Sequence, residues 1–460
     1  MYRGVKMIIQ EIVQRQRAYF HTGATRPLAF RLEALRTLRT QIRVLEREIS
    51  AALHADLGKT AYESFMTEIG IVLSELTLFE KRLSRFMRPK RVPSSLLMFP
   101  SKSRIMYEPY GVTLIISPWN YPFQLSIMPL IGALAAGNTV ILKPASYAPN
   151  TAKIIQKLIE AAFPSEYVCV VLGGREENQL LLDQNVDYIF FTGSVHVGKT
   201  VMEKASRHLT PVTLELGGKS PTIIDASANI KRAAKCVAFG KFLNAGQTCI
   251  APDYVWIPKE KKSEFITWMN HYITDFFGPS PLQSDELPKI INPHHHQRLR
   301  NLMADEHVVV GGEADSTKIA PTILDDVRVD SPIMQEEIFG PILPLLTYSN
   351  PEEVITYLQN QPKPLALYLF VENGKIRKYW LANLSFGGAT INDTIMHYLS
   401  PHMGFGGVGE SGMGRYHGRL SFLTFSNARS VVFKGKIIDL PQRYHPYTQK
   451  KYDFLKRFLK

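Results

Sequence analysis

The chain has 460 residues, of which 45% are hydrophobic, 10% aromatic and 21% charged. That is too long for one ordinary core and apolar enough to fill two or three, so a multidomain globular protein is expected, and a disordered or repetitive chain is excluded. The net charge of +13 is spread too thinly to specify nucleic acid or another anionic partner. The densest basic segments, 81–91 and 450–460, read as solvated helix faces, although 454–460 also has the pattern of a short amphipathic helix suited to a membrane surface.

Three cysteines, Cys169, Cys236 and Cys249, lack C-x-x-C spacing, so neither a disulfide framework nor a zinc site is indicated, and a reducing cytoplasm fits best. Residues 1–10 lack the long apolar region of a secretory signal. The longest uncharged stretch, 109–142, is interrupted by Pro118, Asn120, Pro122 and Pro129, whereas a spanning helix needs about 20 continuous apolar residues. Buried α/β structure is the better reading.

In chain order, residues 11–88 show helical spacing, with Leu32, Leu35, Leu38, Ile42 and Leu45 on one face. After a Pro/Ser-rich break at 89–95, short apolar runs at 112–116, 139–142, 168–172 and 188–191 read as buried strands. Helical segments at 126–136, 151–162 and 177–183 lie between them. Such alternation predicts a parallel, doubly wound sheet whose ligand sits beyond the carboxyl ends of the strands. A second series at 222–224, 255–257, 342–345, 366–370 and 389–392 predicts a second α/β domain. The glycine-dense stretch 404–418 and then 421–433 read as a loop followed by a strand, suited to an arm that pairs with another subunit.

Four segments carry chemistry. In Asn244-Ala245-Gly246-Gln247-Thr248-Cys249-Ile250 a cysteine follows a small glycine-containing turn. By itself a cysteine is more often structural, since reactivity requires exposure and a pKa moved from about 8.5. Glu215, in Leu214-Glu215-Leu216-Gly217-Gly218-Lys219, is a candidate general base beside two glycines that permit close approach. Asn120, in Ser117-Pro118-Trp119-Asn120-Tyr121-Pro122, is either a turn residue or a donor to a developing oxyanion. The fourth is Gln335-Glu336-Glu337-Ile338-Phe339-Gly340-Pro341.

With these four motifs in this order, the chain resembles the aldehyde dehydrogenase superfamily over nearly its full length. Residues 244–254 and the run Phe405-Gly406-Gly407-Val408-Gly409-Glu410-Ser411-Gly412-Met413-Gly414 resemble its class 3 branch, which includes dimeric enzymes acting on fatty and aromatic aldehydes. The resemblance implies two doubly wound α/β domains and a small β oligomerisation arm. Residues 1–85 and 108–216 would bind the cofactor and 217–396 would be catalytic; 86–107 and 397–435 would form the arm, and 436–460 a tail. It also implies NAD or NADP, a homodimer, an aldehyde substrate and no metal. Cys249 is then the nucleophile, Asn120 and the Cys249 N–H hold the oxyanion, and Glu215 deprotonates the hydrolytic water, with Glu337 discussed as a second base.

For the cofactor, Lys143 matches the family's adenosine-ribose lysine, Glu337 its nicotinamide-ribose carboxylate and Phe339 the neighbouring ring. Gly193, Ser194, Gly198, Leu216 and Trp119 complete the implied binding set. Ser146 departs from the many relatives with glutamate there; losing that charge removes repulsion of a 2′-phosphate, so NADP use is expected beside NAD. Tyr121, Thr248, Ile250, Ile395 and Met396 are the implied aldehyde-lining residues, with His397 beside them. No arginine neighbours them, which argues against semialdehyde acids.

Residues 193–200 also satisfy the phosphate-loop pattern G-x-x-x-x-G-K-[ST], in which Lys199 and Thr200 would serve a nucleotide triphosphatase. Val195, His196 and Val197 are bulky for such a loop, and the segment equally matches the family's Phe-Thr-Gly-Ser stretch at a helix start. The tight G-x-G-x-x-G turn is absent. His294, His295 and His296 follow Asn292-Pro293; consecutive helical residues point apart, so a surface helix start is expected there rather than a metal site. A non-catalytic scaffold of the same fold would need none of these groups.

Overall fold

The computed structural model describes residues 2–95 and 98–459. Leu96 and Leu97, within the expected arm, and Lys460, in the expected basic tail, lie outside them. The opening segment is helical as anticipated, but as several helices rather than one run: Tyr2–His21, Leu28–Val44, Glu46–Leu57 and Gly70–Phe86 are the long ones. Leu35, Leu38 and Ile42 are buried, which is the face their spacing predicts.

Three sheets follow. Strands β1 (Lys90–Val92) and β2 (Ser101–Pro109) lie in a small antiparallel sheet. β3 (Val112–Ile116), β4 (Thr139–Lys143), β5 (Val168–Val170), β6 (Tyr188–Gly193) and β7 (Val212–Leu216) form a parallel sheet in the order 7-6-3-4-5. Every residue of β3 and β4 is buried, because helices cover both faces of such a sheet. The uncharged stretch resolves into β3, β4 and the wholly buried helix Gln124–Ala136. Among the described residues no helix is long and apolar enough to cross a membrane.

The second sheet contains β8 (Pro221–Ile224), β9 (Tyr254–Pro258), β10 (His307–Val310), β11 (Thr322–Asp325), β12 (Ile342–Tyr348), β13 (Ala366–Phe370) and β14 (Gly388–Ile391), in the order 10-11-12-9-8-13-14. All its pairs are parallel except β10 with β11. The antiparallel edge went unread in the sequence because β10 is half exposed and short.

The C-terminal region departs from expectation in two ways. Residues 421–424 belong to a helix, Arg419–Thr424, and not to the strand; Phe422 and Phe425 are buried, so their spacing serves a helix turn packed under the sheet. Within the glycine-dense loop, β15 (Gly412–Met413) pairs antiparallel with β7. Then β16 (Ser426–Lys434) pairs along its whole length with β2 of the same chain. The tail ends in the helix Gln449–Phe458, on which Tyr452 is exposed.

Candidate active site

In the first sheet the chain runs outward from β3 to β5 and then returns to β6 on the other side of β3. That reversal opens a crevice beyond the carboxyl ends of β3 and β6. Ser117-Pro118-Trp119-Asn120 leave β3 there, and Gly193-Ser194 leave β6. From β7 the chain passes through Leu216-Gly217-Gly218 directly into the second sheet, bringing the amino ends of β8 and β9 to the same crevice. The turn carrying Cys249 closes it: the Ser220 hydroxyl donates to the Cys249 carbonyl at 3.5 Å, and the Tyr368 hydroxyl donates to that of Ile250.

The result is a cavity of about 480 Å3. Asn120, Glu215, Cys249 and Glu337 line it together with Trp119, Gly193, Ser194, Leu216 and Phe339. All five expected substrate-side residues, Tyr121, Thr248, Ile250, Ile395 and Met396, are on its wall too. His397 stands behind them, its Nδ1 on the Thr390 hydroxyl at 3.0 Å.

Cys249 follows three consecutive left-handed residues, Asn244, Ala245 and Gly246, with φ of 51°, 51° and 72°. Asparagine and glycine tolerate that region; Ala245 does so at a cost. At Gly246 a Cβ would lie 2.2 Å from the Gly340 carbonyl oxygen, so the turn docks against the Phe339 segment. Phe339 and Ile395 are themselves left-handed, with φ of 53° and 52°. Backbone strain thus gathers at the site, as it does where surrounding structure enforces a functional geometry.

The Asn120 side chain donates one N–H to the Gln247 carbonyl at 3.0 Å, leaving its second N–H available. The Tyr121 hydroxyl and Thr248 Oγ1 are 2.7 Å apart. Burial pushes the Cys249 thiol far above its ordinary pKa, and the neighbouring Glu337 and Glu215 carboxyls add to this, while the backbone N–H groups of Cys249 and Ile250 oppose it. Glu215 is buried with both oxygens unpartnered, and desolvation raises it well above the carboxylate range against the pull of Arg415. Desolvation likewise raises Glu337 to about 8, helped by Asp253, with the Gly218 N–H opposing. Its Oε1 is buried and unpartnered, and its carboxylate lies where a Cβ on Gly217 would stand, 2.1 Å from Oε2.

Lys143 sits at the end of β4, and its ammonium donates to the Pro144 and Gly173 carbonyls at 3.0 and 2.7 Å. A third N–H remains. Burial lowers it to about 8, partly offset by Glu177. Ser146 is exposed near Gly174, whose Cβ would lie 4.0 Å from its hydroxyl. The helix Val195–Ser206 begins at Ser194, which caps Val197 at 3.4 Å. A buried cation with a spare donor, a carboxylate with one unpartnered oxygen and an exposed helix start fit the ribose and phosphate groups of a dinucleotide.

The expectations for Gly198, for the histidine run and for the absence of an arginine near the substrate residues need correcting. Gly198 does not reach the cavity wall; a Cβ there would meet Leu216 at 2.6 Å, so its small size serves helix-to-strand packing. Lys199 and Thr200 are early residues of the helix Val195–Ser206, as the family match implies, and Lys199 forms an exposed ion pair with Glu410 at 3.3 Å. The histidine run does start a helix, with Asn292 capping His295 at 2.9 Å, yet His296 is buried and His295 lines the cavity 5.2 Å from the Trp119 ring. Arg298 also lines the cavity, but it donates to the Glu337 and Ile338 carbonyls. Sequence reasoning missed Met66, Thr67 and Ile71 on the cavity wall, because the long helical pattern gave no sign of which turn faces a cavity.

The sequence profile of the aldehyde dehydrogenase family matches residues 1–431. The chain belongs to the aldehyde dehydrogenase family. It is 47% identical to 4,4'-diaponeurosporen-aldehyde dehydrogenase of Staphylococcus aureus, covering 98% of this chain and 99% of the relative. It is 43% identical to aldehyde dehydrogenase family 3 member B3 of Mus musculus, with 97% and 94% covered. Among solved structures, the substrate-bound state of Staphylococcus aureus AldH has a TM-score of 0.96 at 46% identity, covering 98% of this chain and 99% of that one. The P. syringae AldA indole-3-acetaldehyde dehydrogenase, in complex with NAD+ and IAA, has a TM-score of 0.86 at 26% identity, with 93% and 89% covered. This aldehyde dehydrogenase is therefore an NAD(P)-dependent oxidoreductase with the family's α/β fold.

Proposed function

We propose that the protein oxidises aliphatic or aromatic aldehydes to carboxylic acids with NAD or NADP, through a thiohemiacetal and then a thioester on Cys249. The observation that carries this reading is the gathering of Cys249, Asn120, Glu215 and Glu337 on the wall of one apolar cavity. The Cys249 thiolate attacks the carbonyl carbon, and the oxygen takes up the carbonyl electron pair. The second N–H of the Asn120 amide and the Cys249 N–H stabilise that oxyanion. Lys143, Ser146, Glu337 and the helix start at Gly193 and Ser194 would hold the dinucleotide, which would supply the hydride acceptor.

Glu215 then takes a proton from the water that attacks the thioester. Its apolar surroundings, which raise its pKa, make its ionised form a strong base. Glu337, raised to about 8 and the largest charged influence on the thiol, is the second base and accepts the thiol proton. Met66, Ile71, Leu125, Leu243, Leu399 and Phe405 make the substrate end apolar, in keeping with a relative named for 4,4'-diaponeurosporen-aldehyde. Ser146 in place of a carboxylate supports use of NADP. The outer edge of β16, unpaired among the described residues, supports a homodimer, and three free cysteines suit a reducing cytoplasm.

The test is absorbance of reduced nicotinamide on incubation with a medium-chain or aromatic aldehyde and NAD or NADP, for wild type and Cys249→Ala. Cofactor reduction by the wild type alone is expected with both dinucleotides. Reduction that persists in Cys249→Ala would remove the nucleophile, and its absence with NADP would remove the Ser146 argument.

A further inference from the structure

Lys59 and Glu68 form an ion pair at 2.6 Å, and neither side chain is exposed at all. Their bonds converge on the five residues 120–124. Glu68 Oε1 takes the Lys59 ammonium, while Oε2 accepts the backbone N–H groups of Phe123 at 2.9 Å and Gln124 at 3.1 Å. The Lys59 ammonium also donates to the Asn120 carbonyl at 3.2 Å and sits 3.9 Å from the centre of the Tyr121 ring. The same carbonyl accepts the Asn244 side-chain N–H at 2.8 Å. The charged pair therefore grips the backbone that bears the Asn120 amide and, through Asn244, Gln247 and Thr248, the turn that bears Cys249. Glu68 itself stands in a π-helical turn, Phe65–Ile69, a feature often found at functional sites.

Two buried charges add little net stability, because desolvation offsets their attraction, and apolar replacements of similar size are often neutral. What such a pair supplies that apolar side chains cannot is directed bonds. We propose that Lys59 and Glu68 are positioning residues, holding the Asn120 amide in register with Cys249, a role that rests on the oxyanion reading of Asn120. Neither touches the cavity, so each acts only through the loop it grips.

The experiment is a double-mutant cycle on the full-length enzyme with aldehyde and dinucleotide, scored on kcat. Lys59→Met/Glu68→Leu removes both charges of the pair and leaves the Glu63 carboxyl, which burial already raises to about 7, without the Lys59 ammonium. It should lower kcat by roughly 10- to 100-fold, the scale of an ångström-sized misplacement, while the dinucleotide KM and the rate of Cys249 alkylation by iodoacetamide stay as in wild type. In an Asn120→Ala background the same replacement should lower kcat by less than about twofold, since coupled residues are not additive. Losses that multiply across the two backgrounds, or wild-type kcat in the pair variant, overturn the positioning role. Wild-type kcat in Asn120→Ala alone brings down the oxyanion reading, and the positioning role with it, and is seen separately from the other outcomes. If the pair variant does not fold, Glu68→Gln, which keeps the shape and loses the charge, takes its place in the cycle: a kcat loss confined to the Asn120 background supports the positioning role, and a loss of equal size in both backgrounds overturns it.

Discussion

At the scale of single residues, the site is a set of acids that suppress one another. Cys249, Glu215 and Glu337 share one apolar cavity, and ionising any one of them makes ionising the next more costly. The thiol of the ligand-free protein is consequently protonated at neutral pH, so its alkylation by iodoacetamide should be slow at pH 7 and still rising at pH 9. Glu337 is the largest charged influence on the thiol. Glu337→Gln removes that negative neighbour, lowers the thiol pKa, and should speed alkylation at pH 8; an unchanged rate would show that the carboxylate does not act on the sulfur, and a slower one that its part as base outweighs its charge. That Cys249, Glu215, Asn120 and Glu337 gather at one cavity was legible in the sequence only through the resemblance of their four motifs, in this order, to one family. Lys59, Glu68 and His295 were not, since a lysine and a glutamate nine residues apart in a helical pattern look like any solvated face.

At the scale of elements, most strands were legible because parallel strands buried on both faces are short apolar runs. β7 and β11 were not, because Thr213, Glu215, Thr322 and Asp325 interrupt or flank their few apolar residues; nor were β10, for its exposed residues, and the helix Arg419–Thr424, because two aromatic residues fit a strand as well as a helix turn. The arm poses a physical problem of its own. In the order β1-β2-β16, the nine-residue β16 has an outer edge unpaired among the described residues, and Val432 and Phe433 are each 48% exposed. Long bare edges invite pairing, and a two-fold related copy would satisfy this one with a closed interface. Light scattering in dilute buffer should give twice the chain mass of 52.1 kDa; a monomer mass would leave the edge to another partner.

At the scale of the whole molecule, buried ionisable groups set the pH dependence of stability. Glu63 and Glu75 are raised from 4.5 to about 7 and Glu337 to about 8, in each case chiefly by desolvation. Above pH 4.5 the folded chain holds protons that the unfolded chain has released, so these groups lower stability as pH rises to 8. His295 and His397, lowered by burial from 6.5 to about 4, act in the opposite sense, but only below 6.5. Between pH 6.5 and 8 the carboxyls stand alone, because Lys143 and Lys241, lowered by burial to about 8, add stability only as pH rises further. The apparent thermal midpoint should be lower at pH 8 than at 6.5, and an equal or higher midpoint would contradict the protonated state of these acids. The sequence by itself determined the two α/β layers, the family and the four motifs of the chemistry, because periodicity, burial and reactive groups at fixed spacing are local properties. Only the tertiary structure decided that the carboxyl ends of one sheet meet the amino ends of the other around a single cavity. It alone placed Gly198 in packing, brought His295 to the cavity, and set a buried ion pair behind Asn120. Those facts depend on contacts between residues far apart in the chain, which no local pattern encodes.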